Sequence, residues 1–217
     1  MKISIAIDGP AGAGKSTIAK ILSDKFNLMY INTGFMYRAV TLFALKNNVQ
    51  PNDIESLCKL INSLDMKFIN NRLIVNDVDV TNEIILPEIS KNVSNYAAVP
   101  EVREKLVDLQ KKISKKYNVI MDGRDIGTVV LKDAPFKFYL NASPEERAKR
   151  RFNELINKGI KVEYNNILDD IIKRDYIDTH RKTNPLYKAS DAIEIDSSNL
   201  TIEQVVNKIY HIINSKL

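Results

Sequence analysis

The segment GPAGAGKST, at residues 9–17, constrains the fold of this chain more than any other stretch. It comes just after the apolar run ISIAI and holds three of the chain's seven glycines. Gly9, Gly14, Lys15 and Ser16 match the pattern G-x-x-x-x-G-K-[ST], in which glycines let the backbone fold tightly and aim its N–H groups at phosphate oxygens. The segment therefore predicts a phosphate-binding loop between a buried strand and a helix.

Two side chains at the end of this loop carry chemistry. Lys15 supplies a mobile positive charge for the β- and γ-phosphates of a nucleoside triphosphate, and the Ser16 hydroxyl is suited to ligate Mg²⁺. The alternative is a glycine-rich turn with a capping serine. That alternative explains neither the lysine nor its spacing from the first glycine, so we expect nucleoside triphosphate binding.

Strand-like and helical patterns alternate along most of the chain. Strands are predicted at 2–8, 28–31, 118–122, 136–140 and 192–196, and helices at 15–26, 33–46, 53–64, 84–95, 100–116, 143–158, 165–181 and 201–215. Residues 66–81 instead form short β-like runs, with turn candidates at 70–71 and 76–77. These patterns predict an α/β fold: a doubly wound, five-stranded parallel sheet with helices on both faces and an insertion carrying a small antiparallel sheet.

The bulk composition limits the class of protein. The net charge of +5 fits a protein that handles an anionic ligand, but the excess is too mild to indicate nucleic acid. Cys58 is the only cysteine, which excludes an internal disulfide and fits a reducing compartment. No run is long and apolar enough for a membrane span, and the N-terminus has no signal-peptide pattern. We expect a cytoplasmic protein that contacts neither membrane nor nucleic acid.

The phosphate-binding loop alone does not select an activity, since GTPases, motors and kinases share it. A GTPase would carry an N-K-x-D segment, and this sequence has none. A large ATPase would need a longer chain. Small size and dispersed arginines favour a kinase that acts on a small molecule, although an ATP-dependent nucleic-acid-binding regulator stays open because the isoelectric point is near 9.1.

Arginines cluster on two predicted helices. Arg147 and Arg151 share a face with Arg150, and Arg174 shares a face with Asp178 and Arg181. The segment between the two helices, about 155–168, is predicted to be a short lid. A solvated charged face is the alternative for the first cluster. Two arginine faces beside a lid fit the charge of a transferring phosphoryl group, so Arg147, Arg151 and Arg174, with Lys15, are the predicted catalytic residues.

The stretch VIMDGRDIGT follows a predicted strand and ends in alternating charges. Asp122 stands at the carboxyl end of that strand, where an acid that organises Mg²⁺ would lie in this architecture. Arg124 and Asp125 are expected to point into the crevice beyond it. A capped turn between strand and helix is the alternative interpretation.

Seven motifs in this order resemble those of bacterial cytidylate kinases and span nearly the whole chain: DGPAGAGKST, TGFMYR, SNYAAVPEVR, MDGRDIGTVV, SPEERAKRR, RDYIDTHR and SDAIEIDSS. The resemblance implies a P-loop kinase that transfers the γ-phosphoryl group of ATP to CMP, and to dCMP, with Mg²⁺. It also implies a monomer in pyrimidine metabolism. The expected divisions are a core of residues 1–32 and 106–217 and an inserted nucleoside-monophosphate-binding subdomain of residues 33–105.

The resemblance also implies roles for individual residues. ATP would be held by residues of the loop: Gly9, Pro10, Ala11, Gly12, Ala13, Gly14, Lys15, Ser16 and Thr17. Its adenine would lie near residues 196–201. CMP would be held by a second group: Thr33, Arg38, Ser94, Arg103, Arg124, Asp125, Arg174, Asp178 and Arg181. Within that group Ser94, Arg103 and Asp125 would read cytosine, while Ser16 would ligate Mg²⁺ and Asp122 would lie behind it.

One position departs from the family pattern. The family has an acidic residue before the hydroxyl–glycine pair, whereas this chain has Asn32 before Thr33 and Gly34. The substitution removes a charge and leaves any family role at position 32 in doubt. His180 is expected to be a surface residue and not a general base, because phosphoryl transfer depends on positioning and electrostatics.

Overall fold

The computed structural model describes residues 2–157 and 159–216. The first half contains β1 (Ser4–Asp8), α1 (Lys15–Phe26), β2 (Met29–Asn32), α2 (Thr33–Lys46), α3 (Ile54–Asn62), β3 (Met66–Ile69), β4 (Arg72–Val75), β5 (Val78–Asp79) and α4 (Pro87–Ala97). The second half contains α5 (Pro100–Lys116), β6 (Val119–Gly123), a π-helical turn (Ile126–Val130), β7 (Phe136–Asn141), α6 (Pro144–Asn157), α7 (Tyr164–His180), β8 (Ile193–Asp196) and α8 (Ile202–Asn214).

Five strands form one parallel sheet in the order β2-β6-β1-β7-β8. Successive side chains of a strand point to opposite faces. Ile5 and Ile7 accordingly pack with α1 and α8, whereas Ala6 packs on the other face with Val107 of α5 and Ile126 of the π-helical turn. Helices cover both faces, so the predicted doubly wound five-stranded parallel sheet is confirmed.

The predicted meander is a three-stranded antiparallel sheet in the order β3-β4-β5. Each connection uses two residues with positive φ: Asn70 at 50° and Asn71 at 63°, then Asn76 at 50° and Asp77 at 62°. Two consecutive positive φ values are the signature of type I′ hairpin turns, which favour asparagine. The small antiparallel sheet and both turn positions are confirmed.

Helix α5 joins the inserted segment to the parallel sheet. Its Val102 and Leu106 lie in an apolar core formed with α2, α3, α4 and the small sheet. Val107 of the same helix packs against the parallel sheet instead. The predicted division at residue 105 thus falls inside one continuous helix that contributes to both cores.

One predicted boundary needs correction, and one element was not predicted. Helix α4 begins at Pro87 and not at residue 84, because proline is favoured in the first helical turn and holds Leu86 before it in extended backbone, with ψ 150°. The π-helical turn after β6 was not predicted, since five residues are too few for a helical apolar period.

The region predicted as a lid consists mainly of helix ends. Helix α6 is described to Asn157, residues 159–163 are irregular, and α7 starts at Tyr164. Residue 158, the predicted end of the first helix, lies outside the described residues. Ala148, Leu155, Ile167 and Ile171 form a small apolar cluster between the two helices. Throughout residues 2–157 and 159–216, no helix is both long and apolar enough to cross a membrane.

Candidate active site

The phosphate-binding loop follows β1 and is held against the sheet by its glycines. Gly9 has φ 146°, and a Cβ at this position would lie 1.9 Å from the Leu140 carbonyl oxygen on β7. Gly14 precedes α1 with φ 89°, and no side chain caps that helix. The first N–H groups of α1 are consequently available to an anion, together with the positive end of the helix dipole.

The geometry at Gly9 predicts a severe effect for Gly9→Ala. We expect a loss of stability of about 2–5 kcal/mol, because a left-handed backbone costs roughly 1–2 kcal/mol and overpacking a further 1–3 kcal/mol. The melting temperature measured by differential scanning calorimetry and the affinity for ATP should both be lower than in the wild-type protein. Gly159→Ala is the matched control. Gly159 has φ 74°, but a Cβ there would have no atom of the described residues within 4 Å apart from its chain neighbours, so it should show only the smaller, conformational cost. Equal losses in the two variants would contradict the close approach at Gly9.

Lys15 is 6% exposed, and its Nζ donates to the Pro10 carbonyl oxygen at 2.6 Å. Burial, reinforced by the positive charge of Arg124, lowers the pKa of Lys15 well below its ordinary value. The protein alone therefore compensates the positive charge of this buried ammonium group only poorly. Negative charge from a ligand would restore its preference for the protonated form.

Ser16 belongs to a ring of hydrogen bonds at the base of the cleft. The Ser16 hydroxyl donates to Asp122 Oδ2 at 2.8 Å, and the Tyr30 hydroxyl donates to Asp122 Oδ1 at 2.9 Å. Asn32 Nδ2 closes the ring by donating to both hydroxyl oxygens at 3.1 Å. A hydroxyl has two lone pairs. The Ser16 oxygen therefore keeps one lone pair for a further partner.

Asn32 fits this ring because it is an amide. Its Oδ1 caps α2 by accepting the Phe35 N–H at 3.2 Å, while its two N–H bonds orient the hydroxyls toward Asp122. A carboxylate at position 32 would lack these donors. With an amide at position 32, Asp122 is the acceptor of both hydroxyl protons.

The deepest ion pair of the cleft joins Arg103 of α5 to Asp125, which follows β6. Arg103 Nη2 lies 2.5 Å from Asp125 Oδ2, and both side chains are at most 5% exposed. The Arg103 guanidinium also lies over the Tyr37 ring at 5.1 Å. Arg181 approaches the second Asp125 oxygen at 3.9 Å. Each oxygen of the buried carboxylate thus faces a guanidinium group, one from α5 and one from the C-terminal end of α7.

A second ion pair connects Arg124 to α7. Arg124 Nε donates to Asp178 Oδ2 at 2.8 Å, and Arg181 lies 3.6 Å from Asp178 Oδ1. Burial acts to raise the pKa of Asp178, but Arg124, Arg174 and Arg181 outweigh it, so that the pKa is lowered. Asp178 is therefore ionised and fixes the orientation of Arg124.

Four guanidinium groups converge near the phosphate-binding loop: Arg38, Arg124, Arg151 and Arg174. Burial and the neighbouring Arg174 lower the pKa of Arg38 to about 9, and burial and Arg124 lower that of Arg174 to about 10. The Arg174 Nε atom is buried and, among the described residues, has no hydrogen-bond partner. Mutual repulsion of this kind is relieved by an anion that accepts several hydrogen bonds.

The three arginines of α6 have different surroundings and partners in the structure. Arg147 is buried and donates to the Ala142 carbonyl, the Ala11 carbonyl and Asp175, at 2.8, 3.0 and 2.6 Å. Arg150 donates to Ser197, which directly follows β8. Arg151, which pairs with Glu154 at 2.9 Å, lines the cleft. Arg147 supports the phosphate-binding loop from below; its role in catalysis stays a prediction.

Most of the predicted residues line two adjoining cavities that share several lining residues; the one lined by the buried pair Arg103–Asp125 is called the inner cavity and the other the outer cavity. The inner cavity of about 270 Å³ is lined by Ala11, Gly12, Lys15, Ser16, Thr33, Arg38, Ser94, Arg103, Asp122, Arg124, Asp125, Arg151, Arg174, Asp178 and Arg181, among others. The outer cavity of about 1450 Å³ adds Ala13, Gly14, Thr17 and residues 200–202. Gly9, Pro10 and Arg147 line neither cavity.

Sequence reasoning missed several residues of the site. Tyr37 lies four residues after Thr33 on α2, so helical spacing places both on one face of that helix. Its contact with Arg103 could not be read from the sequence. Tyr30 looked like an ordinary strand residue. Asp8 was absent from every predicted set, although it is a buried acid directly before the first glycine of the loop. His180 is exposed and stacks on Tyr176 at 4.1 Å, outside both cavities.

Solved structures support the fold. An uncharacterized protein from Eubacterium ventriosum superposes with a TM-score of 0.53 at 16% identity, covering 99% of both chains. A shikimate kinase from Bacteroides thetaiotaomicron superposes with a TM-score of 0.50 at 14% identity, again over 99% of both chains. At these identities the likeness concerns the fold alone.

Sequence relatives identify the family. A cytidylate kinase of Clostridium acetobutylicum is 65% identical over 217 residues, covering 100% of both chains. A cytidylate kinase of Clostridium perfringens is 63% identical over 207 residues, covering 95% of each chain. The profile of the family described as cytidylate kinase matches residues 5–215. With the phosphate-binding loop, the parallel sheet and the arginine-lined cleft, these matches show that the chain belongs to the cytidylate kinase family.

Proposed function

We propose that this protein transfers the γ-phosphoryl group of ATP to CMP, and to dCMP, giving ADP and the corresponding diphosphate. Family membership supports the reaction. The observation that carries the proposal is the inner cavity, in which Lys15 and Ser16 of the phosphate-binding loop share walls with the buried pair Arg103–Asp125. One cavity thus offers a triphosphate site and a polar pocket suited to a base.

Mg²⁺ fits the residues at the base of the cleft. Mg²⁺ prefers oxygen ligands and, when bound with nucleotide phosphates, takes only one or two from the protein. Ser16 has an oxygen lone pair to give, and the buried Asp122 accepts its proton. When bound, Mg²⁺ would neutralise charge on the β- and γ-phosphates. Ser16 would hold it, and Asp122 would orient Ser16 from behind.

The chain's own contribution to the chemistry is positioning and positive charge. An oxygen of the acceptor phosphate attacks the γ-phosphorus in line with the departing ADP, and charge spreads over the equatorial oxygens. Arg38 and Arg124 would hold the acceptor phosphate, while Arg151 and Arg174, with Lys15, would stabilise the transferring group. The lowered pKa values of Arg38 and Arg174 support an anion between these guanidinium groups.

The buried polar groups suit cytosine. Cytosine presents an amine donor beside two acceptors, whereas uracil presents a carbonyl and an N–H at the equivalent positions. Asp125 can accept from the amine, and Arg103 and Ser94 can donate to the acceptors. Uracil would leave some of these groups unpaired, at a cost of about 1–3 kcal/mol each. Thr33, Asp178 and Arg181 complete the acceptor pocket in this proposal.

The proposed working parts are the core (residues 1–32 and 106–217), the insertion (33–105) and the lid (about 155–168). Closure of the insertion and lid over both nucleotides would bring the arginines together and exclude water that would otherwise hydrolyse ATP. The outer cavity, which reaches from α4 to α7 and residues 200–202, supports ATP entry from that side. We further propose a cytoplasmic monomer in pyrimidine metabolism.

Initial rates with a panel of acceptors test this function. With Mg·ATP, we expect rapid ADP release with CMP and dCMP, turnover with UMP lower by about tenfold or more, and little with AMP or GMP. Equal rates with CMP and UMP would contradict the assignment of cytosine recognition to Ser94, Arg103 and Asp125. ATP binding without turnover of any nucleotide would contradict the acceptor class.

A further inference from the structure

Asp8 is a buried carboxylate that the proposed reaction leaves unused. It ends β1, directly before the phosphate-binding loop, and is 4% exposed. Its Oδ1 accepts the Ile126 N–H at 2.8 Å, and its Oδ2 accepts the Gly127 N–H at 2.7 Å. Backbone bonds to an ionised acceptor are strong, and they offset part of the cost of burying the charge.

These two bonds cap the π-helical turn Ile126–Val130. The first N–H groups of a helical segment have no partner within it, and a residue such as aspartate before the segment commonly accepts them. Asp125 occupies that position, yet its carboxylate makes no capping bond. It pairs with Arg103 at 2.5 Å instead. Asp8 on the neighbouring strand satisfies the donors that Asp125 leaves.

We propose that Asp8 is a positioning residue for acceptor recognition: by capping this turn from β1, it keeps the Asp125 carboxylate in the inner cavity. The inference rests on the proposed function, in which Asp125 reads cytosine. Without the cap, the free N–H groups of Ile126 and Gly127 compete with Arg103 for the Asp125 carboxylate. The carboxylate then rotates toward these N–H groups and away from Arg103. Base discrimination should decline more than ATP binding.

The groups around Asp8 determine the pH range in which its carboxylate is charged and caps the turn strongly. The charged groups facing it are Asp125 beyond β6 and Lys15 on α1, and the carbon chain of Lys137 on β7 lies beside Gly127. Burial raises the pKa of Asp8 to about 6, although the two backbone bonds lower it. The carboxylate is therefore charged at neutral pH. It gains a proton as the pH falls through 6, which weakens it as an acceptor.

Asp8→Asn tests the proposal because it keeps the shape but replaces one acceptor with an N–H donor that opposes a backbone N–H. We expect the kcat/KM ratio of CMP over UMP to fall by about tenfold, with the KM for ATP changed less than about twofold. Ile209→Val, at a buried position of α8 that faces the core, is a destabilising control that should leave the ratio unchanged. A folded Asp8→Asn variant with the wild-type ratio would overturn the proposal.

A second measurement serves if Asp8→Asn does not fold. In the wild-type protein, the CMP-to-UMP ratio should fall as the pH is lowered from 7.5 to 5.5. Ionisation of the acceptor phosphate is common to both nucleotides and cancels in the ratio. A flat ratio across this range would overturn the proposal. A wild-type protein that phosphorylates neither nucleotide would contradict the proposed function itself, a result distinct from an unchanged ratio.

Discussion

Replacing Arg174 by alanine should lower kcat about a thousandfold, the scale found for arginines that stabilise phosphoryl transfer. The Arg174 Nε atom is buried and has no hydrogen-bond partner among residues 2–157 and 159–216. Repulsion from Arg124 contributes to the lowered pKa of Arg174, so an anion bound between the two would stabilise the charged guanidinium. Because the developing charge is greatest in the transition state, ATP binding should weaken far less than kcat.

Steady-state kinetics with Mg·ATP and CMP, together with ATP titration by calorimetry, measure the two effects separately. Arg72→Ala is a suitable control, since Arg72 pairs with Asp79 on the small antiparallel sheet and lines neither cavity. Its kcat should remain at the wild-type value. If Arg174→Ala kept the wild-type kcat while still converting CMP, the proposed role of Arg174 would be wrong.

Replacing Asp125 by alanine should have the largest effect on stability and on base choice together. The change leaves Arg103, whose side chain is 1% exposed, without its carboxylate partner. Breaking a buried pair on one side costs about 3–5 kcal/mol, which corresponds to a fall in melting temperature of about 6–20 °C for a chain of this size. The preference for CMP over UMP should also fall, by about tenfold.

The double variant Arg103→Met/Asp125→Ala separates these two effects. Replacing both members of a buried ion pair by apolar groups is often neutral for stability, so the melting temperature should recover most of its loss. The preference for CMP should not recover, because the groups proposed to read cytosine are gone. Thermal unfolding and the CMP-to-UMP ratio measure both quantities. A double variant that regained the CMP preference would contradict base recognition by this pair.

The parts that residue spacing alone predicted are local in the chain, whereas the dispersed acceptor-site residues came from the family resemblance. The phosphate-binding loop is a continuous run of nine residues, and its glycines and Lys15 are informative by spacing alone. The parallel sheet followed from alternating apolar and helical patterns, and the two hairpin turns from their asparagines. In each case neighbouring residues carry the whole signal.

The parts that were missed depend on strand order. Asp8 caps a turn that begins 118 residues later, and the two meet only because β1 lies beside β6 in the sheet. The ring through Asn32 requires β2 on the other side of β6, next to Asp122. Likewise, the common helix of Arg147 and Arg151 was predictable, but the burial of only the first under the phosphate-binding loop was not.

Transfer of a labelled phosphoryl group tests the central claim most directly. The protein would be incubated with CMP, Mg²⁺ and ATP labelled at the γ-phosphorus, and the products separated by anion-exchange chromatography. We expect the label in the β-phosphate of CDP, in equal amount to the ADP formed. Label released as inorganic phosphate, with no labelled CDP, would show that the cleft hydrolyses ATP and would contradict phosphoryl transfer to CMP.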